Sequence, residues 1–299
     1  MLQAWSSARY VIPLPEAHRF PIAKYALLRD AVLARGLVAD AHLHEPARVA
    51  TEDLLLVHTP EYVGKVNDGT LSAEELRRLG FPWSRHLVER AYRAVGGTCE
   101  AAEAALALGV TINLAGGTHH AFADRGEGFC VFNDVAVALR RLFAKGSIRR
   151  AAIIDLDVHQ GNGTHAIFAD DAHVFTFSMH ARRNFPFHKV AGSLEIALED
   201  GTTDGPYLEQ LSDALPGVLR AAEPDLVVYL AGADPHEGDR LGRLRLTRDG
   251  LARRDGMVLQ ACREVGIPVA ITVAGGYGRD VSDTVLVHLA TVSVARDYA

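Results

Sequence analysis

The sequence predicts an α/β fold, a mostly parallel central sheet with helices on both faces, in one domain spanning residues 1–299. Three observations carry this. Five short segments rich in β-branched residues recur along the chain: VTINLA (110–115), AAIIDL (151–156), HVFTFS (173–178), LVVYLA (226–231) and VAITVA (269–274). Each is almost wholly apolar rather than alternating, which means burial on both faces, as in a parallel sheet covered by helices. The stretches between them are long and helical in character, at 21–36, 84–109, 133–146 and 247–266. Asn133 and Thr247 are good N-cap types, and Gly36, Gly109, Gly146 and Gly266 stand where helices end in left-handed residues. No internal repeat, low-complexity tract or Pro/Ser-rich linker divides the chain, so a single compact unit is expected. Strands alternating with helices imply a doubly wound arrangement.

Composition narrows the function. With 48% hydrophobic and 23% charged residues the chain is neither disordered nor fibrous. Lys and Arg number 31 against 37 Asp and Glu, and the Arg pairs are scattered among acidic residues. Non-specific nucleic-acid binding therefore has no electrostatic basis. Cys99, Cys130 and Cys262 are an odd set with no close pair, which speaks against a zinc knuckle or redox dithiol and for a reducing cytoplasm. The N-terminal residues lack the basic-then-apolar pattern of an export signal, and no window reaches the ~18 apolar residues of a membrane span.

In open parallel sheets ligands bind beyond the carboxyl ends of the strands, so the residues that follow each apolar run are the informative ones. They are Gly116, Gly117, His119 and His120 after the first, and Asp155, Asp157 and His159 at the second. Ser178 and His180, then Asp234 and His236, then Gly275, Gly276 and Tyr277 follow the remaining three. Asp157 and His159, two apart, project to one side if the strand stays extended, giving one oxygen and one nitrogen ligand. Asp234 adds a second carboxylate and leaves coordination positions open, the pattern of a catalytic metal site suited to Zn(II) or Fe(II). The alternative reading of the same spacing is a helix cap or a solvated turn. His119 and His120 can divide base and electrostatic roles if their ring nitrogens meet different partners, with Asp155 and Asn162 available. Tyr277, on a glycine-flanked loop, is a candidate oxyanion donor or a packing residue.

Together GGTHHA (116–121), GEGFCVFND (126–134), DLDVHQGNG (155–163), GADPH (232–236) and AGGYG (274–278) resemble the histone deacetylases, in family order and over most of the chain. HRFPIAKY (18–25) and ADPHEGDRLGRLRLT (233–247) look like the class IV branch. The resemblance implies the arginase/deacetylase fold and a metal-dependent amidohydrolase whose acyl-lysine substrate enters by a narrow tunnel. It implies Asp157, His159 and Asp234 as ligands, His120 as general base and later acid, and His119 as electrostatic catalyst. Asp155 would orient His119, and Asn162 would face His120 where class I relatives have Asp. Gly128, Phe129 and Phe185 would form the tunnel, with Phe187 competing for the last place. Potassium would lie behind the metal, bound by Asp155, Ser178 and the carbonyls of Asp157, His159 and Met179. The sequence departs from the family in its short AGG run, and no residue corresponds to the rim aspartate of class I enzymes. Deacetylation of small acetylated amines such as acetylpolyamines is an alternative that an acidic entrance would favour, with Glu195, Glu199 and Asp200 as its candidate loop. Longer-chain deacylation and a non-catalytic acyl-lysine or metabolite-binding role are the other readings.

Overall fold

The computed structural model describes residues 1–299. Eight strands occur: β1 (Gln3–Trp5), β2 (Leu43–His44), β3 (Val110–Asn113), β4 (Ala151–Asp155), β5 (Val174–Ala181), β6 (Leu194–Leu198), β7 (Leu226–Leu230) and β8 (Val269–Thr272). Ten helices accompany them. These are α1 (Lys24–Ala34), α2 (Thr51–Leu54), α3 (Pro60–Asp68), α4 (Ala73–Leu79), α5 (Arg85–Leu108), α6 (Asp134–Ala144), α7 (Asn162–Ile167), α8 (Asp204–Ala222), α9 (Arg248–Glu264) and α10 (Val281–Tyr298). No helix is long and apolar enough to cross a membrane.

The strands form one sheet in the order β2-β1-β3-β8-β7-β4-β5-β6, and every neighbouring pair is parallel. The predicted α/β class with a parallel sheet is therefore the observed one. All five apolar runs are strands, and their burial explains the unbroken apolar pattern. Along β4, Ala152 and Ile154 enter the core cluster on one face while Ala151 and Ile153 enter the cluster on the other. Helices α1, α8, α9 and α10 cover the first face, and α5 and α6 the second.

The predicted helix ends hold at both termini. Asn133 accepts a hydrogen bond from the Ala136 N–H and Thr247 from that of Gly250, satisfying first-turn donors. All four expected glycines have positive φ at helix C-termini.

Strand order decides where chemistry can gather. β3 and β4 are consecutive among the central strands in sequence, yet β8 and β7 lie between them in the sheet. The chain leaves the adjacent strands β7 and β4 in opposite directions, to β8 and to β5, which opens a crevice at their carboxyl ends. Register keeps those ends level: Asn113 pairs with Thr272, Thr272 with Leu230, Leu230 with Asp155, and Asp155 with Ser178. Four loops carrying the predicted residues thus leave the sheet side by side.

Candidate active site

The loop after β3 is shaped by Asp134, the first residue of α6. Its carboxylate accepts hydrogen bonds from the Gly117 N–H (2.9 Å) and the Thr118 N–H (2.7 Å), which fixes the chain just before His119 and His120. The loop after β4 turns on its own side chains. The Asp157 N–H donates to Asp155 Oδ1 (3.1 Å) and the His159 N–H to Asp157 Oδ1 (2.9 Å). The strand therefore does not stay extended through Asp157 and His159 as expected; it ends at Asp155. The residues do form a turn, though a buried rather than a solvated one, and the turn is compatible with a ligand role because a carboxylate oxygen has more than one lone pair to offer.

That turn meets the loop after β7. His159 Nδ1 lies 2.9 Å from Asp157 Oδ1 and 3.2 Å from Asp234 Oδ2, and one donor atom from each of the three residues lies within 4.8 Å of the others. All three side chains are buried. Asp234 Oδ1 accepts from the Val158 N–H (2.9 Å), whereas the buried Asp234 Oδ2 has the 3.2 Å approach of His159 Nδ1 but no hydrogen bond of good geometry. A buried carboxylate oxygen without such a bond is costly unless a cation meets it. The electrostatics agree. Burial and the neighbouring Asp157 push Asp234 up to about 7; His159, which burial alone would lower, is raised to about 10 by both carboxylates. A cradle of this kind demands positive charge, and its O, N, O donors fit Zn(II) or Fe(II). Gly275 closes it: a Cβ there would fall on the Asp234 and Asp157 Oδ2 atoms, so the backbone can pass only without a side chain.

The two histidines are driven apart. Burial lowers His119, but Asp155, whose Oδ2 lies 2.7 Å from His119 Nδ1, and Asp157 outweigh it and raise the imidazole to about 9. His120 faces a neutral partner, with its Nδ1 2.7 Å from Asn162 Oδ1. The amide cannot present its nitrogen instead, because Asn162 Nδ2 donates to Glu127 Oε1 (3.2 Å). His120 therefore carries its proton on Nδ1 and leaves Nε2 basic. Burial and the charges on His119 and His159 hold it well below the usual range.

Tyr277 is anchored from two sides. Its N–H donates to Asp239 (2.5 Å), and Lys24 Nζ donates to the carbonyls of Ala274 (3.2 Å) and Gly276 (3.3 Å) while lying 5.4 Å from the Tyr277 ring centroid. Burial and the carboxylates of Asp234 and Asp157 raise the phenol well above its usual value, so its proton stays available for donation.

A cleft of about 1020 Å³ leads to these groups, lined by His120, Asp157, His159, Phe129, Phe185 and Tyr277 among others. The Phe185 ring stands edge-on to His120 with centroids 4.9 Å apart, whereas Phe187 is 82% exposed, so Phe185 is the inner wall and Phe187 the lip. Phe129 lines the same cleft, packed against Phe20, Phe81 and Tyr277. A Cβ at Gly128 would meet the His120 ring at 2.7 Å, so a larger residue would displace that imidazole. Behind the cradle, Asp155, Ser178 and Met179 are brought together by strand register. The carbonyls of Asp157 and His159 accept no backbone hydrogen bond, leaving hard oxygen donors free for a monovalent cation.

With this geometry in place, the sequence model of the histone deacetylase domain matches residues 18–292. The chain belongs to the histone deacetylase family. It is 46% identical over 288 residues to an uncharacterized protein of Picosynechococcus, covering 96% of each chain. It is 34% identical over 274 residues to histone deacetylase 2 of Arabidopsis thaliana, covering 88% of this chain and 70% of that one. The crystal structure of a histone deacetylase homologue from Aquifex aeolicus superposes with a TM-score of 0.85 at 26% identity, over 98% of this chain and 84% of that one.

In this histone deacetylase domain the sequence reading missed Lys24, Asp239, Glu127 and Asp134, all of which hold a candidate site residue in place, and the aromatic pair Phe20 and Phe81. Lys24 and Phe20 lie in the HRFPIAKY motif, and Glu127 and Asp134 in GEGFCVFND, so the signal existed as sequence likeness without an assigned role. Asp239 lies likewise in ADPHEGDRLGRLRLT, whereas Phe81 lies in none of the motifs.

Proposed function

We propose that the chain is a divalent-metal-dependent amidohydrolase that removes acetyl or longer acyl groups from lysine side chains, with zinc as the metal and ferrous iron fitting the same donors. The observation that supports this most is that the Asp157–His159–Asp234 cradle opens into the cleft that also holds His120 and Tyr277. A divalent cation bound there polarises an amide carbonyl and acidifies water.

The chain's own residues supply the rest. Phe129 and Phe185 grip the lysine methylenes and exclude water, a task flat apolar walls suit. His120 Nε2 takes the proton of the attacking water and returns it to the departing amine, while Asn162 keeps Nδ1 as the protonated nitrogen. His119, held charged by Asp155, stabilises the negative charge that develops beside it. Tyr277 donates its hydroxyl proton in a hydrogen bond to the developing oxyanion. Asp155, Ser178 and the carbonyls of Asp157, His159 and Met179 form the proposed potassium site, which stiffens the turn that bears the ligands.

Tyr277→Phe is expected to lose about 10²- to 10³-fold in turnover of an acetyl-lysine peptide, with bound metal unchanged by elemental analysis. Undiminished turnover removes the tyrosine from this role.

Hydrolysis of acetylpolyamines has less support. The acidic loop it needs is spent elsewhere: Glu195 lies 3.1 Å from His165 Nδ1 and accepts from Gln160, Glu199 pairs with Arg182 (3.0 Å) and Asp200 with Arg243 (3.0 Å). None of the three lines the cleft.

A further inference from the structure

The mouth of the cleft carries one sign of charge. Arg19, Arg77, Arg78, Arg183, Arg240 and Arg243 line it and are exposed, whereas Asp157, at the base, is the one carboxylate among the lining residues. Arg78 is paired with Glu74 (3.0 Å) and Arg243 with Asp200 (3.0 Å). The other four have no carboxylate within 4.0 Å. Arg240 is held at the lip by carbonyls instead: its Nε donates to the Tyr277 carbonyl (3.1 Å) and its Nη2 to that of Arg19 (3.2 Å). Neither acceptor neutralises it. This collar sits on a protein whose formal net charge is −6, so it is a local reversal of the overall field.

Like charges gathered at one opening repel each other, and a cleft lined by one sign focuses its field on a ligand of the other. We propose that the substrate of this site is an acyl-lysine in an acidic sequence context, whose flanking carboxylates settle on the arginine collar as the acyl-lysine arm descends between Phe129 and Phe185. The proposal rests on the amidohydrolase reading and names its substrate class. A peptide fits better than a small anion because the arginines come from four separated stretches of chain, at 19, 77–78, 183 and 240–243. One carboxylate occupies one or two guanidinium groups, whereas an extended acidic segment occupies several. A basic peptide tail meets only repulsion there.

The test uses metal-loaded protein and labelled peptides of equal length, with a central acetyl-lysine flanked by Glu, Gln or Lys. Binding is read by fluorescence anisotropy and hydrolysis as kcat/KM, at low and raised salt. The expected order is Glu over Gln over Lys in both readouts, with about tenfold or more between the extremes at low ionic strength. The gap shrinks as salt screens exposed charges. In the triple variant Arg19→Gln, Arg77→Gln, Arg183→Gln the Glu-to-Lys ratio falls towards one. In Arg149→Gln, at the opposite end of the sheet ahead of β4, it is retained. An equal or reversed order overturns the collar proposal, and turnover of the Gln peptide then leaves the amidohydrolase reading standing. If no peptide is hydrolysed, that reading fails while the binding order still decides the collar. Preference for free Nε-acetyl-lysine over the acidic peptide overturns the peptide assignment.

Discussion

Replacing Asp234 with alanine is expected to abolish tight divalent-metal binding and, with it, hydrolysis of an acetyl-lysine peptide. The carboxylate does two things: Oδ1 accepts from the Val158 N–H within the turn that carries Asp157 and His159, and Oδ2 faces the cradle without a hydrogen bond of good geometry. Removing both leaves a buried N–H unsatisfied, at about 1–3 kcal/mol, and strips one of two negative charges from the cage. Asp234→Asn separates these effects. It keeps an acceptor for Val158 and the fold, while the cradle still loses its charge. Metal content by elemental analysis is expected to fall in both variants and turnover to follow it. Full occupancy in Asp234→Asn excludes Asp234 as a ligand.

The second large effect is at His120. His120→Ala is expected to lose about 10²- to 10⁴-fold in kcat, the usual contribution of a positioned general base, while retaining metal. The side chain contacts Phe185 and Asn162 and offers no donor atom to the Asp157–His159–Asp234 group, so the two variants are told apart by metal content alone. Turnover near that of the parent protein moves the base role to another residue, with His119 the nearest, its ring centroid 4.1 Å away.

How far the sequence revealed this arrangement depends on where each signal lies. The five central strands were legible because burial on both faces writes an unbroken apolar run. The other three lie in the outer parts of the sheet: β1 and β2 have three and two residues, and β6 is exposed or half-buried at all but its last residue, so none writes that pattern. Helix α8 was hidden by Pro206 and Pro216, which read as breaks although the helix spans them.

At the site, Asp157, His159, Asp234, the histidine pair and Tyr277 each sit in a short glycine-containing motif next to a strand end, and sequence alone could single them out. Their supports could not be found that way. Lys24 reaches carbonyls 250 and 252 residues along the chain, and Glu127 acts on His120 only through Asn162. The arginine collar was illegible for the same reason, since an exposed arginine reads as solvated surface until folding sets six of them round one opening. The extended geometry expected for Asp157 and His159 failed because their own backbone amides bond to carboxylates within the turn.

The central claim is a divalent cation held by one imidazole and two carboxylates, and calorimetric titration of chelator-stripped protein with zinc tests it most directly. One tight site per chain is expected, lost in Asp157→Asn and Asp234→Asn, with peptide hydrolysis returning in step with occupancy. Full hydrolysis by the stripped protein, or a tight site indifferent to both substitutions, would contradict it.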